Sequence, residues 1–326
     1  MVNLRSFEVP TVVKHAPGAL EALADEVKAL GMRRPLLVTD KGLAAAGVVG
    51  EALRVLKAGA VDTVVFDEVV ANPPIALVDR GAEVYKSEGC DGLIGLGGGS
   101  PMDTAKAIGV VAVHGGSALD YEWAAEQPIK RRIPPLITVP TTAGTGSEVT
   151  LWAVITDPKR RIKFNMGGTA LIAPHVALID PLLTLGLPAS ITAGTGLDAL
   201  THAIECYTCA YAQPWPDAVA LWAIETIAQW LPIAFAQGQN REARYKMSMA
   251  AMLAGMSYGT ESAGAVHAMS QTAGGVYDLP HGTLTAALLP PVMAYNYLGE
   301  PHKYARIAQA MGENTWGLTV WEAAEL

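Results

Sequence analysis

The stretch Leu93–Ile108, LIGLGGGSPMDTAKAI, decides how the first half of the chain is read. Leu93–Leu96 is short and continuously apolar, as a strand buried on both faces should be. Gly97, Gly98 and Gly99 follow, and with no Cβ they let the backbone come close to a ligand. Ser100 is placed to cap a helix, with Pro101 in its first turn. Exposed N–H groups and the positive helix end then make an anion site suited to a pyrophosphate. The spacing matches neither G-x-G-x-x-G nor a P-loop, so a tight turn without a ligand is the competing reading. Three successive glycines before a capping serine favour the phosphate.

Working outward, short β-rich runs alternate with amphipathic helical stretches up to about residue 180. The strand-like runs are Leu36–Thr39, Val61–Phe66, Leu93–Leu96, Leu136–Val139, Val154–Thr156 and Val176–Ile179. The helix-like runs are Gly18–Leu30, Val48–Lys57, Ile75–Ser87 and Pro101–Val113. Such alternation predicts an α/β domain with a mostly parallel sheet covered on both faces. After Pro181 strand signals fade, leaving helices over Asp198–Cys209, Ala218–Trp230, Arg241–Ser257, Thr283–Tyr297 and His302–Met311. The boundary falls near Leu185–Ser190, where Pro188 and Ser190 read as a helix entry.

Two further places in the first half invite a dinucleotide. Asp40 closes the run LLVTD, where a carboxylate can accept hydrogen bonds from a ribose and would repel a 2′-phosphate. Asp40-Lys41-Gly42 reads equally as a turn, and spacing alone leaves both readings open. TVPTTAGTGSEVT, Thr138–Thr150, is a loop dense in hydroxyls and glycine. Thr141, Thr142, Thr145 and Ser147 there can bond phosphate, ribose or carboxamide.

The 326 residues allow two lobes, and apolar residues make up 51% against 17% charged, which hints at a buried subunit interface. The net charge of −8 with no basic tract argues against nucleic acid. The stretch Pro280–Gly299, free of Asp, Glu, Lys and Arg, holds His281, Asn296 and three prolines, so no membrane span is expected. The amino terminus MVNLRSFEVP lacks an apolar signal core, which predicts a cytoplasmic protein. Cys90, Cys206 and Cys209 offer no disulfide framework. The C-x-x-C of Cys206 and Cys209, read as lying within a helix, has no second pair and reads as two small buried hydrophobes.

The second half carries GTGLDALTHAIE, Gly194–Glu205. Asp198 and His202 lie four residues apart, on one face of a helix. His267 and His281 follow in Gly-, Ala- and Met-rich surroundings. One oxygen and three nitrogen ligands suit a divalent transition metal such as Fe²⁺ or Zn²⁺. A helix-surface pair and two core histidines are the bland alternative, and the residues alone leave the two about even.

VTDKGL, ANPP, GGGSPMDTAKAIG, PTTAGTGSEVT, ITDPKRRIKF, GLDALTHAIE and VHAMSQTAGGVYDLPHG occur in that order. Through them the chain closely resembles the iron-dependent (group III) alcohol dehydrogenase family over nearly its whole length. The resemblance implies a dehydroquinate synthase-like plan: an NAD-binding α/β domain over residues 1–185 and an all-α metal-binding domain over 186–326. It implies Asp198, His202, His267 and His281 as ligands of Fe²⁺, with Zn²⁺ or Mn²⁺ also accepted. It implies NAD contacts from Asp40, Asn72, Gly97, Gly98, Gly99, Ser100, Asp103, Thr141, Thr142, Thr145, Ser147, Lys163 and Leu182. A homodimer or larger assembly is implied too.

The activity implied is reversible hydride transfer between NAD and a small primary alcohol or diol, the metal polarising the substrate oxygen. Where the family commonly has a second histidine, four residues after His267, this chain has Gln271, which cannot titrate. Family members also run on through further helices beyond WEAAEL. Trp152, Phe164, Met166 and Met269 are candidate pocket residues that read as readily as core. A dehydroquinate synthase-type lyase is one rival, but before Lys303 the helical half offers only Arg241, Arg244 and Lys246 as cations. A non-catalytic NAD-binding subunit is the other.

Overall fold

A computed structural model describes residues 6–125, 127–258 and 264–326; residues 1–5, part of the segment read for a leader, lie outside the described residues. The chain divides into two units. One is Glu8–Thr142 with Ser147–Thr184, and the other is Leu185–Leu326 with residues 6–7 and the short insert Ala143–Gly146. A boundary drawn once along the chain does not capture that insert.

The first unit runs β1 (Val12–His15), α1 (Leu23–Ala29), β2 (Pro35–Val38), α2 (Lys41–Ala45), α3 (Val48–Ala58), β3 (Val64–Phe66) and α4 (Ile75–Ser87). It continues through β4 (Gly92–Gly97), α5 (Gly99–His114), β5 (Leu136–Pro140), β6 (Trp152–Asp157), β7 (Ile162–Gly167) and β8 (Val176–Ile179). Six strands form a wholly parallel sheet in the order β1-β8-β5-β4-β2-β3. Period-two alternation sorts its side chains. Leu36, Val38 and Leu93 pack with Val78 and Ile108 of α4 and α5. Leu37, Ile94 and Leu96 pack on the other face with Leu23 and Leu56 of α1 and α3. This is the two-sided burial that the apolar run of β4 requires.

Some expectations need correction. Val154–Thr156 does not join the parallel sheet; it belongs to β6, which pairs antiparallel with β7 alone. The run Val61–Phe66 shortens to β3 because the Val61 N–H turns back to the Leu56 carbonyl and closes α3. Strand β1 gave no apolar signal because it is an edge strand, mostly exposed and bearing Lys14 and His15.

The second unit is helical: α6 (Ala189–Thr208), α7 (Pro214–Ala236), α8 (Arg241–Tyr258), α9 (Ala265–Tyr277), α10 (His281–Asn296), α11 (Pro301–Ala310) and α12 (Val320–Glu325). Its core is built from small residues, with Ala199, Ala203, Ala220, Ala223, Ala250 and Ala254 letting α6, α7 and α8 pack closely. Helix α6 begins at Ala189 behind Pro188, well before Asp198, and ends at Thr208, so Cys209 lies just past it. Helix α7 is long and apolar enough to cross a membrane by length and composition. Asp217 and Glu225 lie within it, so it is not a run free of charge. It packs on α6 and α8 and buries Ala223, Ile224 and Ile227.

Candidate functional site

In the helical unit, α6 carries Asp198 and His202 one turn apart, both buried. Helix α9 contributes buried His267. Asp278 closes α9 in the left-handed conformation and Pro280 caps α10, so a three-residue connector puts His281 at the first position of α10. A Cβ on Gly282 would overlap the Gly194 carbonyl oxygen, so glycine is what lets the first turn of α10 lie against α6.

These elements bring three of the expected ligands together. His281 Nε2 lies 3.4 Å and His267 Nε2 3.8 Å from Asp198 Oδ1. One ligand atom from each of Asp198, His267 and His281 falls within 4.8 Å of the others. Thr285 Oγ1 of α10 donates to the same carboxylate at 3.2 Å. His202 stands beside this trio, its ring stacked on His267 at 4.4 Å between centroids.

Electrostatics match the geometry. Burial pushes the Asp198 carboxyl up, but the imidazoles of His281, His202 and His267 together hold it below its ordinary value. Burial pushes His202 down to about 3, and His267 beside it acts in the same direction. Nε2 of His267 and Nδ1 of His202 are buried with no hydrogen-bond partner in the structure. Buried polar atoms are normally satisfied by protein, water or an ion. A divalent cation is the partner that this mixture of one carboxylate and three imidazoles selects, so the residues fit the ion.

In the α/β unit, the chain leaves β2 for β3 on one side and returns as β4 on the other. That makes the carboxyl ends of β2 and β4 the topological switch point, where open α/β sheets receive ligands. Asp40 follows one of these strands, and Gly97–Gly99 end the other. Thr141 and Thr142 follow β5 next door, and the Thr141 N–H donates to the Gly97 carbonyl at 2.9 Å. Gly97 holds φ +149°, which only glycine adopts readily. Helix α5 starts at Gly99 with extended Gly98 in the cap position and no side-chain cap. Ser100 therefore sits inside the first turn rather than capping it, a correction to its expected role. The positive end of α5 faces the crevice with no side chain capping it.

Several other expected contact residues have structural work of their own. Asp40 Oδ1 caps α2, accepting from the Leu43 N–H at 2.9 Å. Asp103 accepts from Ser147 Oγ at 2.5 Å and the Val154 N–H at 3.0 Å. Asn72 sits between β3 and α4 at φ +54°, Lys163 on β7, and Leu182 just past β8, its N–H bonded to Asp180 at 3.0 Å. Thr145 travels with the helical unit.

Two family models cover the chain: one for iron-containing alcohol dehydrogenase matches residues 10–181, and one for the C-terminal part of the Fe-containing family matches 192–325. The chain belongs to the iron-containing alcohol dehydrogenase family. A choline dehydrogenase of Bacillus subtilis is 56% identical over the whole chain and 81% of the relative. A 1,3-propanediol dehydrogenase of Citrobacter freundii is 46% identical over 100% of the chain and 84% of the relative. A solved 1,3-propanediol oxidoreductase superposes with a TM-score of 0.94 at 42% identity, over 98% of this chain and 84% of that one. The iron-containing alcohol dehydrogenase family is one of oxidoreductases, so the lyase reading falls. The cations of the helical half agree: Arg244 is buried on Thr192 Oγ1 and the Gly238 carbonyl, and Lys303 pairs with Asp217.

Some positions in this member of the iron-containing alcohol dehydrogenase family escaped the sequence reading. Lys106, fully buried, donates to Ser147 Oγ, to the Thr150 carbonyl and hydroxyl, and to the Trp152 carbonyl at 2.7–3.2 Å. Burial pushes it down to about 8 while Asp103 and Glu148 pull it back. Burial likewise pushes Glu148 up to about 7. Glu205, buried on α6, bonds to His267. The signal for Lys106 was a cation in an apolar helix, and for Glu205 its i, i+3 spacing from His202. Of the candidate pocket residues, Phe164 and Met166 are core, whereas Met269 is exposed. Gln271 is half-buried, one turn after His267 on α9.

Proposed function

We propose that this protein is an NAD-linked, metal-dependent dehydrogenase that moves hydride reversibly between a small primary alcohol or diol and nicotinamide. The convergence of Asp198, His267 and His281, with His202 alongside, carries the reading. These residues would hold Fe²⁺, or Zn²⁺ or Mn²⁺ in its place. When bound, the ion supplies Lewis acidity toward a substrate oxygen.

The chain's own groups do the rest. Burial of Asp198, His202 and His267 keeps water from the far side of the ligand set. The glycine turn and the open end of α5 receive the pyrophosphate. Asp40, just past the end of β2, would accept from the adenosine ribose and repel a 2′-phosphate, which would select NAD over NADP. Gln271 can orient a hydroxyl but cannot take its proton, so the proton leaves by a route other than this side chain. Apolar side chains such as Trp215, Phe235 and Trp316 are exposed on the helical unit and support a homo-oligomer. Cytoplasmic residence completes the reading, consistent with a composition poor in cysteine.

The similarity to a choline dehydrogenase favours one variant of the same chemistry, an alcohol that bears a quaternary ammonium. Metal-loaded and chelator-stripped protein should be assayed for NADH formation with 1,3-propanediol, choline and ethanol. NADH should form only with metal, and NADPH should form more slowly when NADP replaces NAD. Cofactor binding without turnover on any alcohol would sink the proposal.

A further inference from the structure

We propose that Glu205 is the positioning residue that fixes the tautomer and orientation of His267 and thereby sets the affinity of the site for its ion. The inference rests on the metal reading above and extends it to a residue that touches no ion. Asp198, His202 and Glu205 stand at i, i+4 and i+7, so one face of α6 presents all three. Glu205 Oε2 lies 2.5 Å from His267 Nδ1 and accepts the His267 main-chain N–H at 3.3 Å. Its Oε1 accepts the Val266 N–H at 2.7 Å.

Both oxygens therefore already receive main-chain donors, as a carboxylate does. Against such a group Nδ1 carries the proton, and the lone pair of the ring is left on Nε2. That is the atom buried without a hydrogen-bond partner, 3.8 Å from Asp198 Oδ1. The two main-chain donors belong to the first turn of α9, where N–H groups have no partner within the helix. One side chain thus anchors both the backbone and the ring of the ligand, across 61 and 62 positions of sequence. Carboxylates on the far nitrogen of a ligating histidine orient the ring and raise its basicity.

The test uses metal-free full-length protein titrated with Co²⁺ against a chelating dye, with the cobalt absorption spectrum recorded. Glu205→Leu should weaken Co²⁺ binding roughly 10–100-fold and alter the spectrum. Glu205→Gln, which keeps one acceptor, should recover part of the loss. Ile224→Ala, a core truncation on α7, should lower the melting temperature but leave the Kd unchanged. A folded Glu205→Leu with the wild-type Kd, or one that loses no more than Ile224→Ala, overturns the assignment. Should Glu205→Leu not fold, an unchanged Kd and spectrum in Glu205→Gln overturn it instead. Wild-type protein that takes up no Co²⁺, or Asp198→Ala that binds it as tightly, would bring down the metal reading itself.

Discussion

Around the glycine turn of the α/β unit, the acidic side chains are already engaged by protein. Asp40 caps α2, and Asp103 accepts from Ser147 and Val154. In the helical unit, His267 Nε2 and His202 Nδ1 are buried without partners. The first region offers a ligand its backbone and a helix end, while its side chains keep that backbone in shape. The second offers side-chain lone pairs, and its backbone serves only to bring three helices to one point. A dinucleotide phosphate and a metal ion ask for these two kinds of reception: N–H dipoles for an anion, donor atoms for a cation.

The largest effect that can break this contrast is at the helical unit. Asp198→Ala should abolish metal retention and turnover, while NAD binding, followed by fluorescence, persists. Retained metal by elemental analysis would bring down the metal reading, and lost NAD binding would show that the two regions do not work separately. A smaller effect is expected from Lys106→Met. It leaves Asp103 and Glu148 buried without their cation and should destabilise the protein by about 3–5 kcal/mol. Urea unfolding should show the loss, with NAD affinity reduced and metal content intact. An unchanged midpoint would mean that the Lys106 network does not hold the hydroxyl-rich loop.

Asp40 gives the finest distinction. Serine also caps helices, so Asp40→Ser should hold stability to within a few tenths of a kcal/mol, whereas Asp40→Ala should cost about 1 kcal/mol. If the carboxylate also meets the ribose, Asp40→Ser should raise the use of NADP relative to NAD. An unaltered cofactor ratio would leave Asp40 as a cap and nothing more.

The fold was legible where periodicity is local. Buried strands β2, β4 and β5 read as apolar runs, and the alternation with helices gave a parallel sheet. Edge strand β1 was not, since a mostly exposed strand bearing Lys14 and His15 has no apolar signature. Helix α9 was missed because Gly274 and Gly275 weaken its helical pattern. At the site, Asp198 and His202 announce themselves by spacing, while His267 and His281 needed the motifs around them. Glu205 stood in plain view within GLDALTHAIE, but its partner lies 62 positions away, and no local pattern carries that information. Ser100 misled because the capping preference for serine is strong, and extended Gly98 took the position first.

On the proposed metal reading, Gly282 also sets the bite of the site. The distance from His281 to Asp198 follows from how closely two helix backbones can approach, and that is governed by a hydrogen atom where other residues carry a methyl group. On that reading, radius discrimination between ions would then be retuned from a position that supplies no donor atom, with Asp198, His202, His267 and His281 left untouched.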